Sequence, residues 1–427
     1  MSKHIIEDAK RCIQCKKPLC EKGCPAGTPI REAIRLFLDN RLAEAGEILF
    51  ENNPLSLICG YICPQENQCE SHCVMNKTGS PVFVSVIEQY ISDFYLNIYN
   101  PKKVSKKKKG QNVAMIGSGP AGLTIAFLLL KKGYSVTLFE GKELMGGVLR
   151  YGIPEFRLPK RVVDRIVDAL IKTGVKIRPN TTIGDNLTVD DLFRDGFEAV
   201  FMGTGTWRPQ KLNIKGESLG HVHFAIEYLK NPAVYNLGER VIVIGAGNTA
   251  MDVTRSAIRH GSHDVTIFCN LDESGISASE HELKYAKIDG ARVEFCKIAT
   301  EITDDGVIFA DSQIITDKDG YKTAKPIKGT EKLFSADSVI IAVSQGPKSA
   351  IVSSTNGIDV KQNGLVVVDE FGRSTRQGVF AGGDVVTGAK TVVEAIVASR
   401  KVAEAIDEYL SKKLKKRNAI NGYNRKD

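Results

Sequence analysis

Eight of the ten cysteines in this chain lie within its first 73 residues. They form two groups of four, with the spacings Cys12-x2-Cys15-x4-Cys20-x3-Cys24 and Cys59-x3-Cys63-x5-Cys69-x3-Cys73. A segment this short buries too little apolar surface to be stable by itself, so the thiols are expected to cross-link it. Iron–sulfur clusters, zinc ions and disulfide bonds can all do so.

The spacing of the thiols favours iron–sulfur clusters over zinc. Zinc sites favour two-residue gaps between paired cysteines, whereas the gaps here are two, four, three, three, five and three residues. Proline follows Cys24 and Cys63, as in many ferredoxin-type cluster loops. Zinc stays open as the alternative.

Disulfide bonds are the least favoured partner, because nothing in the sequence predicts export. Residues 1–8 lack the apolar core of a secretion signal. The longest apolar stretch, residues 123–130, is too short to cross a bilayer. We therefore expect a cytoplasmic protein without a membrane segment, in a compartment where thiols stay reduced.

The composition predicts a soluble globular chain. Its 427 residues are 42% hydrophobic and 25% charged, and this length predicts about three domains. Much of the net charge of +8 comes from lysine-rich segments at residues 102–109 and 412–417, which are typical of solvated linkers and tails. Because no aromatic residues alternate with either segment, nucleic-acid binding is not expected.

The N-terminal part is predicted to be helical. Apolar residues recur at helical spacing in residues 30–38 and 42–49, between the two cysteine groups. We therefore expect residues 1–100 to form a helical domain around two clusters, followed by a lysine-rich linker at residues 101–110.

A dinucleotide-binding motif follows this linker. Residues 112–116 predict an apolar strand, residues 123–132 a helix and residues 134–139 a second strand. The turn before the helix carries the candidate cofactor-binding residues Gly117, Gly119, Pro120, Ala121 and Gly122. Such a turn lets the backbone approach a pyrophosphate, and Glu140 is placed to accept a hydrogen bond from a ribose hydroxyl.

The same pattern returns after a predicted strand at residues 240–244. Its candidate cofactor-binding residues are Gly245, Gly247, Asn248, Thr249 and Ala250. Two such motifs require two dinucleotides, so we expect an α/β architecture of two nested Rossmann-like domains. The outer domain, residues 111–237 and 345–412, is assigned to FAD, and the inserted domain, residues 238–344, to NAD(P)H. Residues 413–427 are expected to form a basic tail.

The outer domain supplies further candidate FAD residues. Gly205 closes one predicted strand, and Gly383 and Asp384 follow another, at strand ends where cofactors bind in open α/β sheets. Asp384 is interpreted as a ligand of the ribityl or phosphate region, because the two preceding glycines allow a close approach. A solvent-facing turn aspartate is the alternative. The helix predicted from Thr391 to Leu410 is placed to direct its positive end at the flavin.

From Cys12 to Leu410 the chain resembles the FAD and iron–sulfur oxidoreductases related to the glutamate synthase small subunit. Besides the eight cysteines, the matching segments are Asn53-Pro-Leu, Gly117-Ser-Gly-Pro-Ala-Gly, Gly146-Gly147, Tyr151-Gly-Ile-Pro-Glu-Phe-Arg-Leu-Pro-Lys160, Gly245-Ala-Gly-Asn-Thr-Ala-Met-Asp252 and Ala381-Gly-Gly-Asp384. Agreement of this length is too specific to arise by chance.

The resemblance implies two [4Fe–4S] clusters with crossed ligation. It assigns one cluster to Cys12, Cys15, Cys20 and an oxygen-bearing glutamine or glutamate, which falls on Glu88 with Gln89 beside it, and the other to Cys24, Cys63, Cys69 and Cys73. Cys59 is left without a ligand role. The cysteine spacing alone pairs the thiols four and four, so this assignment comes from the resemblance only.

Within the family, the short chain and the segment Gly388-Ala-Lys-Thr-Val-Val-Glu-Ala-Ile396 look most like small subunits of bacterial NAD-dependent dihydropyrimidine dehydrogenases. These supply electrons to a separate FMN subunit that reduces uracil or thymine. The resemblance thus implies hydride transfer from NAD(P)H to FAD, followed by single-electron transfer through two clusters to a partner. No residue is assigned a catalytic role.

Two alternatives remain open at this point. The partner could be the large, glutamate-forming subunit of glutamate synthase. In a different class, the chain could be a stand-alone, zinc-stabilised FAD-dependent NADH oxidase. Against that class, no closely spaced cysteine pair lies beside the flavin motif, since only Cys269 and Cys296 follow Gly117.

One departure from the family concerns the nicotinamide cofactor. Many relatives carry paired arginines at the end of the second strand of the inserted domain, where they bind the 2′-phosphate of NADP. Here the sequence is Phe268-Cys-Asn-Leu-Asp-Glu273, and residues 261–283 contain no Arg or Lys. We therefore predict a preference for NADH over NADPH, unless Arg255, Arg259 or Lys284 reaches the site.

Overall fold

The computed structural model describes residues 2–101, 109–316 and 322–423. Most of the expected linker at 101–110 therefore lies outside the described residues. The chain divides into two compact units. The first comprises Met1–Arg150, Glu155–Thr206 and Pro347–Asp427, and the second comprises Tyr151–Pro154 and Trp207–Gly346.

The first unit begins with the predicted helical region. Its helices are α1 (Ser2–Lys10), α2 (Leu19–Gly23), α3 (Ile30–Leu38), α4 (Leu42–Asn52), α5 (Ser56–Ile62) and α6 (Val84–Ile98). The apolar faces of α3 and α4 meet α6 in a core that includes Ile34, Leu49 and Ile91, each at most 2% exposed. Cysteine side chains pack against this same core, so the thiols lie close to the apolar centre of the helices.

An α/β region follows in the same unit. Its elements are β1 (Asn112–Ile116), α7 (Pro120–Lys131), β2 (Ser135–Phe139), α8 (Val148–Tyr151), α9 (Lys160–Thr173), β3 (Lys176–Arg178), α10 (Val189–Arg194) and β4 (Ala199–Met202). Strands β1, β2 and β4 are almost wholly buried. Burial on both faces explains their continuous apolar sequences.

The second unit contains the inserted nucleotide motif. Its elements are β5 (Arg208–Pro209), β6 (Val222–Phe224), α11 (Ala225–Tyr228), β7 (Arg240–Ile244), α12 (Asn248–Arg259), β8 (Asp264–Phe268), α13 (Glu280–Ile288), β9 (Arg292–Glu294), β10 (Lys297–Thr303), β11 (Gly306–Thr316), β12 (Lys322–Pro326), β13 (Lys332–Ser335), β14 (Ser338–Ile341) and β15 (Gln345–Gly346). Five strands form a parallel sheet in the order β6-β14-β7-β8-β9.

Two features of this unit differ from the sequence-based expectation. The unit begins at Trp207 and not at residue 238, because β5 pairs with β15 and β6 with β14. In addition, β10, β11, β12 and β13 form an antiparallel sheet that the sequence analysis did not predict.

The chain then returns to the first unit with α14 (Ala350–Ser353), β16 (Val379–Ala381), α15 (Asp384–Thr387) and α16 (Val392–Tyr423). Strand β16 pairs in parallel with β4 and completes a five-stranded sheet in the order β16-β4-β1-β2-β3. Helix α16 continues beyond Leu410 to Tyr423, through most of the segment expected to be a basic tail. None of the helices in the described ranges has both the length and the apolar composition of a transmembrane segment.

Candidate cofactor and cluster sites

Four thiols of the helical region line one cavity. They belong to Cys12, Cys15, Cys20 and Cys73, and the same cavity is lined by apolar side chains such as Ile30 and Ile34 of α3. Three of the four precede α3 in sequence, whereas Cys73 arrives after α5. The close approach of His72 to Gly23 brings Cys73 to this place, since a Cβ at Gly23 would lie 2.5 Å from His72 Nδ1.

A second group of thiols lies between α5 and the loop after α2. Cys59 and Cys63 share a hydrogen bond, and Asn53 Nδ2 donates to Cys59 Sγ at 3.2 Å. The charges of Glu88 and Cys24 both act on Cys69, and the charge of Glu88 also acts on Cys63. Helix α6, which packs against α5, carries Glu88 into this group.

The structure therefore exchanges two residues of the expected ligand sets. Cys73 lies with Cys12, Cys15 and Cys20, and Glu88 lies with Cys63 and Cys69. The resemblance placed Glu88 with the first three thiols, and its assignment to either cluster stays a prediction. The segment after Cys69 brings His72 against Gly23 near the end of α2, which places Cys73 beside the first three thiols.

Burial and neighbouring charges shift the pKa values of these groups. Burial raises the pKa of the Cys12 thiol, raises that of Cys20 to about 11, and raises that of Cys69 well above its usual range. Burial also raises the pKa of Glu88, and the neighbouring Cys59 and Glu70 add to the shift. Buried thiols favour the neutral form unless a positive metal centre stabilises the thiolate.

The thiols surround a space and do not converge on a point. Within the described ranges, no three His, Cys, Asp or Glu side chains come together closely enough to hold a single ion. Four thiols that line one cavity are donors that suit either an iron–sulfur cluster or zinc.

The glycines of the first nucleotide turn have separate roles. A Cβ at Gly122 would lie 2.1 Å from the carbonyl oxygen of Gly117, so this position allows α7 to pack against the turn. A Cβ at Gly119 would meet no protein atom within 4 Å, although Gly119 caps the N-terminus of α7. Open space at a helix N-terminus is where a pyrophosphate binds.

Glu140 organises the same turn from the end of β2. One carboxylate oxygen accepts hydrogen bonds from the backbone N–H of Ser118, at 3.0 Å, and from its hydroxyl. The other accepts from the backbone N–H of Lys142 at 3.0 Å. Ser118 Oγ in turn accepts from the N–H of Gly146 at 2.9 Å. Ser118 was not among the residues predicted from the sequence, because it occupies an unspecified position of the glycine motif.

The remaining candidate FAD residues lie at the ends of β4 and β16. Gly205 follows β4, and a Cβ at Gly117 would lie 2.5 Å from the Gly203 carbonyl oxygen of the same segment. Gly383, with φ of +73°, follows β16, and a Cβ there would lie 3.2 Å from Ala121 Cβ in the glycine turn. The strand ends and the glycine motif thus meet at one edge of the sheet.

Asp384 and Thr391 stand at the start of the last two helices. Asp384 Oδ1 accepts from the Lys390 N–H at 3.3 Å, and burial raises the pKa of Asp384 to about 6. Thr391 Oγ1 accepts from the Glu394 N–H at 3.3 Å, while the Thr391 N–H and hydroxyl both donate to Glu394. This reciprocal pair is a capping box for α16.

The second nucleotide turn repeats the design of the first. A Cβ at Gly245 would lie 2.4 Å from the Ala342 carbonyl oxygen, so Gly245 permits the close approach of β7 and β14. Gly247 caps α12, and a Cβ there would meet only Ser277 Oγ, at 3.3 Å. Asn248 Oδ1 accepts from the Ser279 N–H at 3.0 Å, and Ala250 is buried. Thr249 lies between them and is half-buried.

Basic side chains from other segments offset part of the negative charge of the segment after β8. Lys322 of β12 donates to both carboxylate oxygens of Asp272 at 3.2 Å, and Lys287 lies 3.8 Å from Glu273. Arg255 and Arg259 are bound to Glu282 and Asp289. The contact of Lys322 with Asp272 could not be predicted from sequence spacing, because Lys322 lies on a strand about fifty residues away.

Comparisons with known proteins cover most of the chain. Residues 111–403 match the family model for pyridine nucleotide-disulphide oxidoreductases, and residues 1–98 match that for dihydropyrimidine dehydrogenase domain II, 4Fe-4S cluster. The glutamate synthase [NADPH] small chain of Escherichia coli K12 is 31% identical, covering 94% of this chain and 90% of its own. That of Azospirillum brasilense is 33% identical, covering 95% and 89%.

Solved structures agree on the fold of the nucleotide-binding part. FprA of Mycobacterium tuberculosis in complex with NADPH superposes with a TM-score of 0.61 at 18% identity, covering 73% of this chain and 86% of its own. Thioredoxin reductase of T. acidophilum gives a TM-score of 0.55 at 22% identity, covering 71% and 99%. At these identities the likeness concerns the fold alone.

Proposed function

The chain belongs to the family of glutamate synthase small subunits and related FAD and iron–sulfur oxidoreductases, and from that premise we propose that it passes electrons from NADH to a dihydropyrimidine dehydrogenase FMN subunit. Its class is that of an NAD(P)H-dependent oxidoreductase acting as the electron-input subunit of a larger enzyme. The NADH preference, the two [4Fe–4S] clusters and the named partner are the proposed parts.

The observation that carries the proposal is the presence of four sites in one chain. The first glycine turn leaves open space at Gly119, the second leaves only Ser277 Oγ near a Cβ at Gly247, and the thiols of the helical region fall into two groups. When bound, FAD accepts a hydride and the clusters carry electrons one at a time. The protein's part is to hold these groups, and no side chain is assigned a proton-transfer role.

The residues around the first turn would hold FAD. The N-terminus of α7 would bind the pyrophosphate through the backbone at Gly119, and Glu140 would accept from a ribose hydroxyl while Ser118 keeps its carboxylate in place. Asp384 and the N-terminus of α16 would face the ribityl and flavin end. Gly247 and α12 would bind the NADH pyrophosphate in the second unit.

The two groups of donors give the proposed ligand sets. One cluster would be held by Cys12, Cys15, Cys20 and Cys73, and the other by Cys24, Cys63, Cys69 and Glu88. Cys59 stays outside both sets, as the resemblance implies, and its sulfur accepts a hydrogen bond from Asn53 Nδ2.

The preference for NADH is supported by the charges after β8. The names of several relatives specify NADPH, which in such proteins calls for a cation at the 2′-phosphate. In this chain Asp272 binds Lys322 and neutralises it, and Glu273 lies beside Asp272. A ribose diol suits this arrangement better than a phosphate would.

The identity of the subunit that accepts the electrons is the most specific part of the proposal. A dihydropyrimidine dehydrogenase FMN subunit is supported by the match of residues 1–98 and by the segment 388–396. The second candidate is a glutamate synthase large subunit, favoured by identities of 31% to 33% with small chains of that enzyme. Mixing the chain with each purified partner, and assaying NADH-dependent uracil reduction and glutamate formation, would separate the two.

An anaerobic titration tests the electron chain itself. The purified protein is titrated with NADH and with NADPH while flavin bleaching is followed, and iron and zinc are measured. We expect bleaching by NADH first and about eight iron atoms per chain, as two four-iron clusters require. Zinc in place of iron would contradict the proposal and favour a stand-alone flavin oxidase. Equal or better turnover with NADPH would contradict the cofactor preference.

A further inference from the structure

Arg400 of α16 reaches out of the nucleotide-binding fold into the helical region. Its guanidinium donates to the carbonyl oxygen of Ala26 at 2.9 Å and to that of Asn52 at 2.6 Å. A third hydrogen bond, of 3.3 Å, goes to Asn52 Oδ1. Helix α16, which begins at the candidate flavin site, is thereby tied to the loop that follows Cys24.

The charge of Arg400 has no carboxylate partner in the described part of the chain. Its hydrogen-bond acceptors there are neutral oxygens, and its side chain is half-buried. Burial lowers the pKa of Arg400, while the charges of Cys24 and Cys59 oppose that effect. A half-buried cation without a counter-ion is partly desolvated without compensation, which favours a negative group nearby.

The second group of donors supplies that negative charge when it holds a cluster. Arg400 contacts Ala26, two residues after Cys24, and Asn52, next to the Asn53 that binds Cys59. A four-iron cluster ligated by three thiolates and a carboxylate is an anion, and it gains one more negative charge on reduction. A fixed cation beside it stabilises the reduced form more than the oxidised form.

We propose that Arg400 raises the reduction potential of the cluster held by Cys24, Cys63, Cys69 and Glu88, and so favours its reduction by one electron from the flavin. The inference rests on the proposed function. Arg400 acts on the cluster through its charge and touches no reacting atom. Since it belongs to the nucleotide-binding fold, the potential is raised only when that fold is docked on the cluster loop.

A purely structural bridge is the competing explanation, and Arg165 supplies the matched control. Arg165 of α9 also joins the nucleotide-binding fold to the helical region, donating to the Asp93 carbonyl oxygen at 2.7 Å and to Asn97 Oδ1 at 2.9 Å. Its partners lie on α6, and its ion pair with Asp93 satisfies its charge. Loss of Arg165 therefore removes a bridge without removing a cation from the cluster.

The experiment is a redox titration of the full-length holoprotein, monitored by electron paramagnetic resonance, on wild type, R400Q, R400K and R165Q. Iron and FAD are quantified in each. In R400Q we expect one of the two clusters to become harder to reduce, with the reduced-to-oxidised ratio at a fixed potential falling about tenfold, or about 59 mV for one electron. R400K should restore most of that loss, and R165Q should leave both potentials unchanged.

Several outcomes would overturn the inference. Unchanged potentials in iron-replete R400Q would do so, as would equal shifts in R400Q and R400K, because then the bridge and not the charge would matter. If R400Q loses iron, N52D places a carboxylate beside the guanidinium and must lower the same potential, and no change there would also overturn it. Wild-type protein that binds no iron would refute the proposed function, and the inference with it.

Discussion

Gly119 and Gly122 lie three positions apart in one turn, yet a side chain at each would meet different neighbours. At Gly122 a Cβ would strike the Gly117 carbonyl oxygen at 2.1 Å, whereas at Gly119 it would enter open space. G119A should therefore change the unfolding free energy by less than about 0.5 kcal/mol but weaken FAD binding at least roughly tenfold.

Flavin fluorescence and denaturant unfolding measure the two effects of G119A separately. Gly220 is the matched control, because a Cβ there also meets no atom within 4 Å but the position lies outside both glycine motifs. G220A should leave the affinity for FAD unchanged. Full FAD affinity in G119A would show that the pyrophosphate does not bind at this turn.

Asp384 predicts a pH dependence of stability in the FAD-free protein. Burial raises its pKa from 3.8 to about 6, so the folded chain binds this proton more tightly than the unfolded chain does. The resulting stabilisation is complete below about pH 4 and is lost as the pH rises through about 6. From pH 5 to 7 this group should lower the unfolding free energy by about 1 kcal/mol.

Replacing Asp384 by asparagine tests that prediction. D384N removes the titrating proton, so its unfolding free energy should fall less steeply than that of the wild type over pH 5 to 7. Anaerobic urea unfolding at several pH values provides the measurement. Identical slopes in the two proteins would show that Asp384 does not titrate in this range.

Asp272 predicts the response to NADPH. Asp272 forms an ion pair with Lys322, which is the one lysine beside it in the described residues. In D272A this lysine is released, and we expect the ratio of kcat/KM for NADPH to that for NADH to rise about tenfold, equivalent to about 1.4 kcal/mol.

The Arg292–Asp264 pair in the same unit offers the control for this substitution. D264A also frees a basic side chain, but at the residue where β8 begins, and should leave the ratio unchanged. Steady-state kinetics with both nucleotides measures it. An unaltered ratio in D272A would show that the ribose that carries the 2′-phosphate does not bind beside Asp272.

At the scale of elements, two helices begin with the same local structure and allow a direct comparison. Thr391 and Glu394 cap α16, and Thr188 and Asp191 cap α10. Loss of either threonine should cost about 1 kcal/mol of stability. Only T391A should also weaken FAD binding, by roughly two- to fivefold, because the N-terminus of α16 faces the candidate flavin site. Equal FAD binding in T391A and T188A would contradict that role.

The helices of the cluster region show what hydrophobic periodicity can and cannot predict. The apolar repeats of α3 and α4 predicted both elements, since a helix that packs on a core must place those residues on one face. Hydrophobic periodicity does not specify how the cluster ligands are arranged in space. Whether α6 offers Glu88 to one group of thiols or to the other depends on its packing against α5, and not on its own sequence.

At the scale of the whole molecule, the small core of the helical region predicts that it depends on iron. Anaerobic removal of iron with a chelator should make residues 1–98 sensitive to limited proteolysis, since cross-links that replace a larger core are lost. Residues 111–423 should stay protected and keep FAD. Equal protection of both parts would show that the helices are stable without clusters.

The sequence by itself determined the chemistry that is local. Residues a few positions apart in the sequence stay close in space whatever the fold. The cluster region could therefore be identified from its closely spaced thiols, and each nucleotide motif from its closely spaced glycines. The family resemblance extended this reading to the fold class, which the parallel sheets and the superposed structures bear out.

Only the tertiary structure decided which distant residues meet. The exchange of Cys73 and Glu88, the pairing of Lys322 with Asp272, and the contact of Arg400 with Ala26 each join segments far apart in the chain. The antiparallel sheet of β10 to β13 belongs to the same class. Such contacts depend on how whole elements pack, and hydrophobic periodicity specifies the face that an element buries but not the partner that covers it.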